Sequence, residues 1–440
     1  MTSFAHQLRF RALLLWLLTL ASITATPTES ALAQVAGPDA DLAAFRLEKL
    51  TSRLKTMPPG PVRDYFAGVL ANRQDRVQQS IPLLVRALPA LRAASPSRAA
   101  AALETLADDY KKSFRYSDAA RAYDDLLAHF GTEFSPERLQ GDKDDAGLMR
   151  LLKNEPAQTV EWNGPARLRT EHNPLGNIVT GLDVNGVRQL WLLDTGANFS
   201  VVSDTFARRL GLKPLPGYAY TGAGVTGIEN RLQASVLPAL SMGGAILRNV
   251  VVLILPDANL NVGPPNHTYQ IQAIIGYPVF HALGTVTFRD GWFQAGGAGG
   301  ENRGAPMYMR LMDPIILCKV EGAELPFTFD TGAAGSNLSV RYYDEFRLEA
   351  GSWKRGETES GGAGGVVKRA IYVQPSLDLH VGEQTATITK VPIFTRVMGS
   401  EIDELFGNLG LDLTSGFQSF TLDFIHMSFS LGPPLTEKSN

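Results

Sequence analysis

Hydrophobic and polar positions follow two different periods along this chain, and the change of period divides it. From residue 39 to about 150, apolar residues recur three or four positions apart, the spacing of one helix face. Leu103, Leu106 and Tyr110 mark one helix. Ala119, Ala120, Tyr123 and Leu127 mark a second, after a break around Ser113-Phe114-Arg115. Gly68 to Leu88 reads as a degenerate copy of that helical hairpin, offset by 39 residues. From about residue 165 the pattern turns to short strands and turns. Ile178 to Val184, Asn185-Gly186 and Val187 to Leu193 predict a β-hairpin, because Asn-Gly suits a two-residue turn with positive φ. Ser203-Asp204 and Ser339 can each cap a short helix, running to Leu210 and Phe346. Gly131 to Gly164, rich in Gly, Pro and Asp, predicts a connection with a short helix through Leu148-Met149-Arg150-Leu151-Leu152 at its centre. Gly296 to Gly304 reads as a flexible linker. The expected parts are therefore a helical region at 39–150 and two β-rich units at 165–295 and 305–435.

The two β-rich units share a string. Asp194-Thr195-Gly196-Ala197 recurs 136 positions later as Asp330-Thr331-Gly332-Ala333. Both copies extend to D-T-G-A-x-x-S-x-x-S, through Ser200 and Ser203 in the first and Ser336 and Ser339 in the second. An apolar run precedes each, Leu190-Trp191-Leu192-Leu193 and Phe327-Thr328-Phe329, with a turn glycine, Gly186 or Gly322, upstream of it. A repeat of this length with matched flanks indicates an internal duplication. A single Asp-Thr-Gly suits an ordinary strand-end turn, since Asp and Gly are both favoured there. Two with matched flanks point to a pair of carboxylates that work together.

Such a pair has a definite chemistry. Two carboxyl groups about 3 Å apart cannot both ionise readily, so one keeps its proton. The ionised member can take a proton from a bound water, while the protonated one donates to a peptide carbonyl. Water is then the nucleophile, and no serine, cysteine or metal is needed. Gly196 and Gly332 allow backbone to approach closely in a tight turn. Thr195 and Thr331 carry hydroxyls that can brace the two turns against each other.

With these residues in view, the chain resembles the aspartic proteases of the pepsin/retropepsin type, and among them the bacterial retropepsin-like proteins with two lobes in one chain. The likeness covers roughly residues 165–435. It implies an all-β bilobal fold after the helical region, a catalytic dyad of Asp194 and Asp330, and an endopeptidase acting on polypeptides without a cofactor. It also implies a glycine-rich flap in each lobe. Thr221 to Gly227, with Gly222 and Gly224, occupies the first position, and Ser360 to Gly365, with Gly362 and Gly364, the second. An apolar pair followed by glycine packs beneath each catalytic turn in the family. Ile274-Ile275-Gly276 matches it, whereas Asn408-Leu409-Gly410 departs from it by having Asn first. Each lobe closes with a strand, 286–290 and 420–424. The flap tyrosine of the pepsin branch has no secure equivalent in Tyr218 or Tyr220. Ala at the fourth motif position removes a hydroxyl that would stabilise the ionised carboxylate, so a dyad less acidic than pepsin's is expected.

Composition narrows the class further. At 440 residues, 44% hydrophobic and 19% charged, the chain can build two or three cores of ordinary globular material. A formal net charge of −3 without a long basic run argues against nucleic acid as a partner. The seven histidines are scattered and form no metal-binding motif, so no metal is expected. Cys318 is the only cysteine; it lies in an apolar stretch, as a buried structural thiol would. At the N-terminus, His6, Arg9 and Arg11 precede an apolar run from Ala12 to Ala25, and Ala31-Leu32-Ala33 supplies a cleavage site before Gln34. Residues 1–33 thus read as a signal peptide, and the mature protein is expected in a periplasmic or extracellular space, free of the membrane. An uncleaved anchor is the alternative.

The helical hairpins resemble tetratricopeptide repeats, loosely, because their offset exceeds the usual 34 residues. Stacked hairpins offer a groove for a peptide or a partner protein. With both carboxylates in one chain, a monomer with an intramolecular dyad is expected. The competing reading keeps the protease fold and the repeats but makes the protein a non-catalytic peptide binder or scaffold.

Overall fold

Seven helices open the described chain: α1 (Pro38–Ala43), α2 (Leu47–Thr56), α3 (Pro61–Arg73), α4 (Val77–Ala94), α5 (Pro96–Lys112), α6 (Tyr116–Phe130) and α7 (Pro136–Leu152). The computed structural model describes residues 37–435 except 222–229, 263–267, 290, 297–303, 348–352, 363–364 and 398–400. The expected signal segment and most of the glycine-rich 296–304 stretch therefore lie outside the described residues.

Helices α3 and α4 pack as one hairpin, α5 and α6 as the next, and each hairpin turns the same way. Asp75 and Phe114 occupy the left-handed region at φ 57° and 58°. The following amides, of Arg76 and Arg115, each close back on a carbonyl five residues earlier at 2.8 Å. That closure satisfies carbonyls a helix end would otherwise leave open. The break expected at 113–115 is this turn. Inside the bundle, Asn72 donates to Asp108 at 2.7 Å and to Asp109 at 2.9 Å, and Lys112 pairs with Asp108 at 2.8 Å.

The connection expected at 131–164 is mostly helix instead. Ser135 caps α7 by accepting the Arg138 amide, Pro136 follows at the first turn, and Ala146, Leu148, Met149 and Leu152 are buried. Gly141 and Gly147 face open space, so their loop-like composition costs the helix only propensity. Capping and burial outweigh it.

The rest is mostly β. The hairpin of 178–184 with 187–193 forms in the expected register, with Asn185 at φ 53° and Gly186 at φ 76°. Its duplicate joins 313–320 to 323–329 through Glu321 at φ 50° and Gly322 at φ 87°. In each lobe the second strand ends at an Asp-Thr-Gly turn and runs parallel to a short buried strand, 273–275 or 407–409. Ser203 and Ser339 cap α8 (Asp204–Arg209) and α10 (Val340–Phe346), as their positions suggest.

The lobes are joined by a sheet to which each contributes three strands. Its order is 166–172, 292–295, 285–289, 419–423, 428–431 and 305–310, all antiparallel. The expected closing strands of the two lobes are the central pair, bonded to each other. On their axis Thr287 and Thr421 share a hydroxyl hydrogen bond at 2.9 Å, and Phe288 stacks on Phe420 at 4.6 Å. The helices dock onto the first lobe. His281, in α9 (Tyr277–Leu283), lies 2.5 Å from buried Asp75, and α7 packs on the 219–221 strand.

Candidate active site

Two strands deliver the two aspartates to the floor between the lobes. The amide of Asp194 bonds the Ile275 carbonyl at 3.0 Å, and that of Asp330 the Leu409 carbonyl at 3.0 Å. Past each aspartate the chain must turn sharply. In doing so it points an amide back at its own carboxylate: Gly196 donates to Asp194 Oδ1 at 2.9 Å and Gly332 to Asp330 Oδ1 at 2.7 Å.

Both turn threonines are fully buried and reach across the interface. The Thr195 amide donates to the Thr331 hydroxyl at 3.0 Å, and the Thr331 amide to the Thr195 hydroxyl at 3.1 Å. Each hydroxyl then donates to a carbonyl of the opposite lobe, Thr195 to Phe329 at 3.1 Å and Thr331 to Leu193 at 2.7 Å. The brace is reciprocal, so neither turn can shift without the other. Glycine is required at the next position because the opposing carboxylate fills the space a side chain would take. A Cβ on Gly196 would stand 2.7 Å from the Asp330 carboxyl carbon, and one on Gly332 2.5 Å from that of Asp194.

Each carboxyl group stands against the turn glycine of the other lobe, so the two face each other at close range, and two like charges so placed favour keeping one proton between them. Desolvation at the cleft floor, then the charge of Asp330, push the Asp194 carboxyl well above the usual carboxylate range. The amides of Gly196 and Ala197 act in the opposite direction and are outweighed. A pair sharing one proton can hold a water as both hydrogen-bond donor and acceptor, the arrangement needed to activate that water against a carbonyl.

Several supports were not apparent from the residues alone. Ser200 accepts the Gly276 amide at 3.1 Å and Ser336 the Gly410 amide at 3.0 Å, so the serine in each repeated string ties its turn to the strand beneath. That role could have been suspected from its repetition. Asn177, nearly buried, donates across the lobes to the Gly332 carbonyl at 2.7 Å; nothing local in the sequence marks it. Asn408 donates to Asp330 Oδ2 at 3.4 Å. Its signal was its departure from an apolar position.

Of the expected flap residues, Gly222, Gly224 and Gly364 lie outside the described residues. Gly362 ends the 354–362 strand, opposite Gly365, in a hairpin with 365–381. In the first lobe the strands 219–221 and 230–242 pair on either side of the undescribed segment. Tyr218 and Tyr220 are exposed there, and the Arg231 guanidinium lies 3.5 Å from the Tyr218 ring centre. Beside the second catalytic turn lies a cavity of about 570 Å³, with Gly176, Ala334, Trp292, Phe417 and Phe420 in its wall. Cys318 is buried, and burial alone pushes its thiol up, away from nucleophilic use. Among the described residues no group of three His, Cys, Asp or Glu side chains is arranged to hold a metal. No described helix is long and apolar enough to cross a membrane.

Comparison with known proteins agrees with this geometry over part of the chain. Residues 180–279 match the family model of the aspartyl proteases, so the first lobe is aspartyl-protease-like. No curated protein sequence matches the chain. Among solved structures, basic 7S globulin from soybean aligns at 13% identity and a TM-score of 0.40, over 62% of this chain and 95% of that one. Conglutin gamma, a basic 7S globulin from lupine seeds, aligns at 11% identity and a TM-score of 0.41, over 62% of this chain and 96% of that one.

Proposed function

We propose that this protein is an aspartic endopeptidase whose dyad is Asp194 and Asp330, one from each lobe. The observation that carries the reading is the reciprocal threonine brace, which holds the two turns together and keeps each carboxyl against the opposing turn glycine. A carboxylate pair built only for structure would gain from being replaced by neutral partners, since desolvating like charges is costly. A pair kept in contact across a cleft is suited to moving protons.

In the reaction, the ionised carboxylate removes a proton from water as the oxygen bonds to the scissile carbonyl carbon. The protonated carboxyl gives its proton to the carbonyl oxygen. The resulting diol collapses when the amide nitrogen is protonated and the C–N bond breaks. The glycine-rich segments around Gly224 and Gly364 are assigned to flaps. The helical hairpins are assigned to an interaction module, docked on the strand that leads towards the first flap. Residues 1–33 are assigned to export, and the working form to a periplasmic or secreted monomer.

The test is incubation of residues 34–440 with a diverse peptide library from pH 3 to 8, beside Asp194→Asn and Asp330→Asn. Cleavage by the wild type that each variant loses supports one shared dyad. Binding without cleavage at every pH would refute the enzyme reading and favour a peptide-binding role.

A further inference from the structure

The two halves repeat each other closely around the dyad, and one buried pair breaks the repeat. In the first lobe Ile274 lies beside Leu192 in parallel register, and both are buried and apolar. The equivalent pair in the second lobe is Asn408 beside Thr328, in the same register and also buried. Both members are polar where their first-lobe counterparts are apolar. A buried amide and hydroxyl stabilise a fold only when matched to each other, and they offer nothing that Leu and Ile do not supply more cheaply.

The match has a direction. Thr328 Oγ1 donates to Asn408 Oδ1 at 2.6 Å, and also reaches the Gly407 carbonyl at 3.3 Å. With Oδ1 engaged, the amide must turn its N–H donors the other way, and Nδ2 lies 3.4 Å from Asp330 Oδ2. Asp330 thus has donors on both carboxylate oxygens, Gly332 N–H on one and Asn408 on the other. Asp194 is met by backbone amides of its own turn and by Asp330. A hydrogen bond to an ionised acceptor is shorter and stronger than one to a neutral acceptor, so this contact favours charge on Asp330.

We propose that Thr328 and Asn408 break the symmetry of the dyad, holding Asp330 as the ionised carboxylate and leaving the proton on Asp194. The chemical roles rest on the endopeptidase reading given above. Asp330 takes the proton of the attacking water, and Asp194 protonates the carbonyl oxygen. On collapse of the diol the amide nitrogen takes the proton from Asp330, and Asp194 recovers one from a diol hydroxyl. The pair returns to its starting state. Asn408 acts through Asp330 and is a positioning residue.

The test reads the carboxyls directly and the reaction separately. Full-length protein labelled with ¹³C at aspartate carboxyl carbons is titrated by NMR, the dyad signals being assigned by their loss in Asp194→Asn and Asp330→Asn. Because the two groups titrate as a pair, the signals report which site dominates each step. In the wild type Asp330 should dominate the lower step. In Asn408→Leu, and in Thr328→Val with Asn408→Leu, that step should rise by about one pH unit. The acidic limb of kcat/KM against pH should rise with it. Asp194 dominating the lower step in the wild type would overturn the proposal, and that measurement needs the two Asp→Asn variants for assignment but not a folded Asn408→Leu. A lower step that stays put in folded Asn408→Leu would overturn it too. If the wild type cleaves no peptide while the asymmetry and its shift are found, the endopeptidase reading fails and the asymmetry stands.

Discussion

Replacing Thr331 by Val keeps the shape of the side chain and deletes one hydroxyl from the centre of the interface. The Thr195 amide then loses its acceptor at 3.0 Å, and the Leu193 carbonyl loses its donor at 2.7 Å. Thr195 and Thr331 are both fully buried, so water cannot replace the lost partner without the lobes separating. An orphaned buried polar group costs roughly 1–3 kcal/mol, so two of them cost about 2–6 kcal/mol. The lower half of that range is expected, because a carbonyl has a second lone pair to use. Thr195→Val should cost a similar amount through the Thr331 amide and the Phe329 carbonyl. The double variant should cost less than the sum, since lobes already parted by one loss let water reach the other's groups. Urea unfolding followed by the fluorescence of buried Trp191 gives the energies, and hydrogen exchange at the Thr195 amide shows whether the loss is local. A Thr331→Val variant destabilised by less than about 0.5 kcal/mol, the range of inconsequential surface changes, with its Thr195 amide still protected, would refute the brace.

Two further outcomes follow from the same structure. Gly332→Ala puts a methyl 2.5 Å from the Asp194 carboxyl carbon, so that carboxyl or the turn must shift; peptide cleavage should fall by about 100-fold or more, as expected for reacting groups displaced by about 1 Å, while circular dichroism at 25 °C stays native. In the helical region, desolvation, only partly offset by Lys112, pushes the Asp109 carboxyl up to about 7. A carboxyl raised on folding binds more protons in the folded state between its two pKa values, so stability should fall as pH rises from about 4 to 7. Asp108 is lowered and acts in the opposite sense, but only below about pH 4. Asp142, also raised to about 7 by desolvation, acts in the same sense, so Asp109→Asn, which can still accept from Asn72, should lessen the fall above pH 4 without abolishing it; an unchanged slope in a melting series would count against the assignment.

Much of the site was legible because its signals are local. An Asp-Thr-Gly turn, an Asn-Gly hairpin and a serine cap are each written in a few adjacent residues, and their repetition makes each copy evidence for the other. The shared sheet was not legible in this way. Strands 285–289 and 419–423 read as the closing strands of separate lobes, and nothing within either one states that they pair with each other. Helix α7 was misjudged for a different reason. Its glycines and aspartates suggest a loop, and the Ser135 cap overrides that tendency together with the burial of Ala146, Met149 and Leu152. Asn177 was invisible because its partner, the Gly332 carbonyl, lies 155 positions away. Asn408 was visible as an irregularity, but an irregularity in a pattern does not say what it touches.

The sheet that fuses the lobes changes what mutation can do to them. In a protease assembled from two identical chains, every substitution near the axis appears twice and strikes both carboxylates alike. Here each half has its own codons while the other half continues to supply the complementary surface. A polar pair could therefore arise at Thr328 and Asn408 while Leu192 and Ile274 stayed apolar, a combination no symmetric dimer can encode. The two aspartates are thus free to specialise, each under its own selection, within a cleft that keeps the outline of a two-fold repeat.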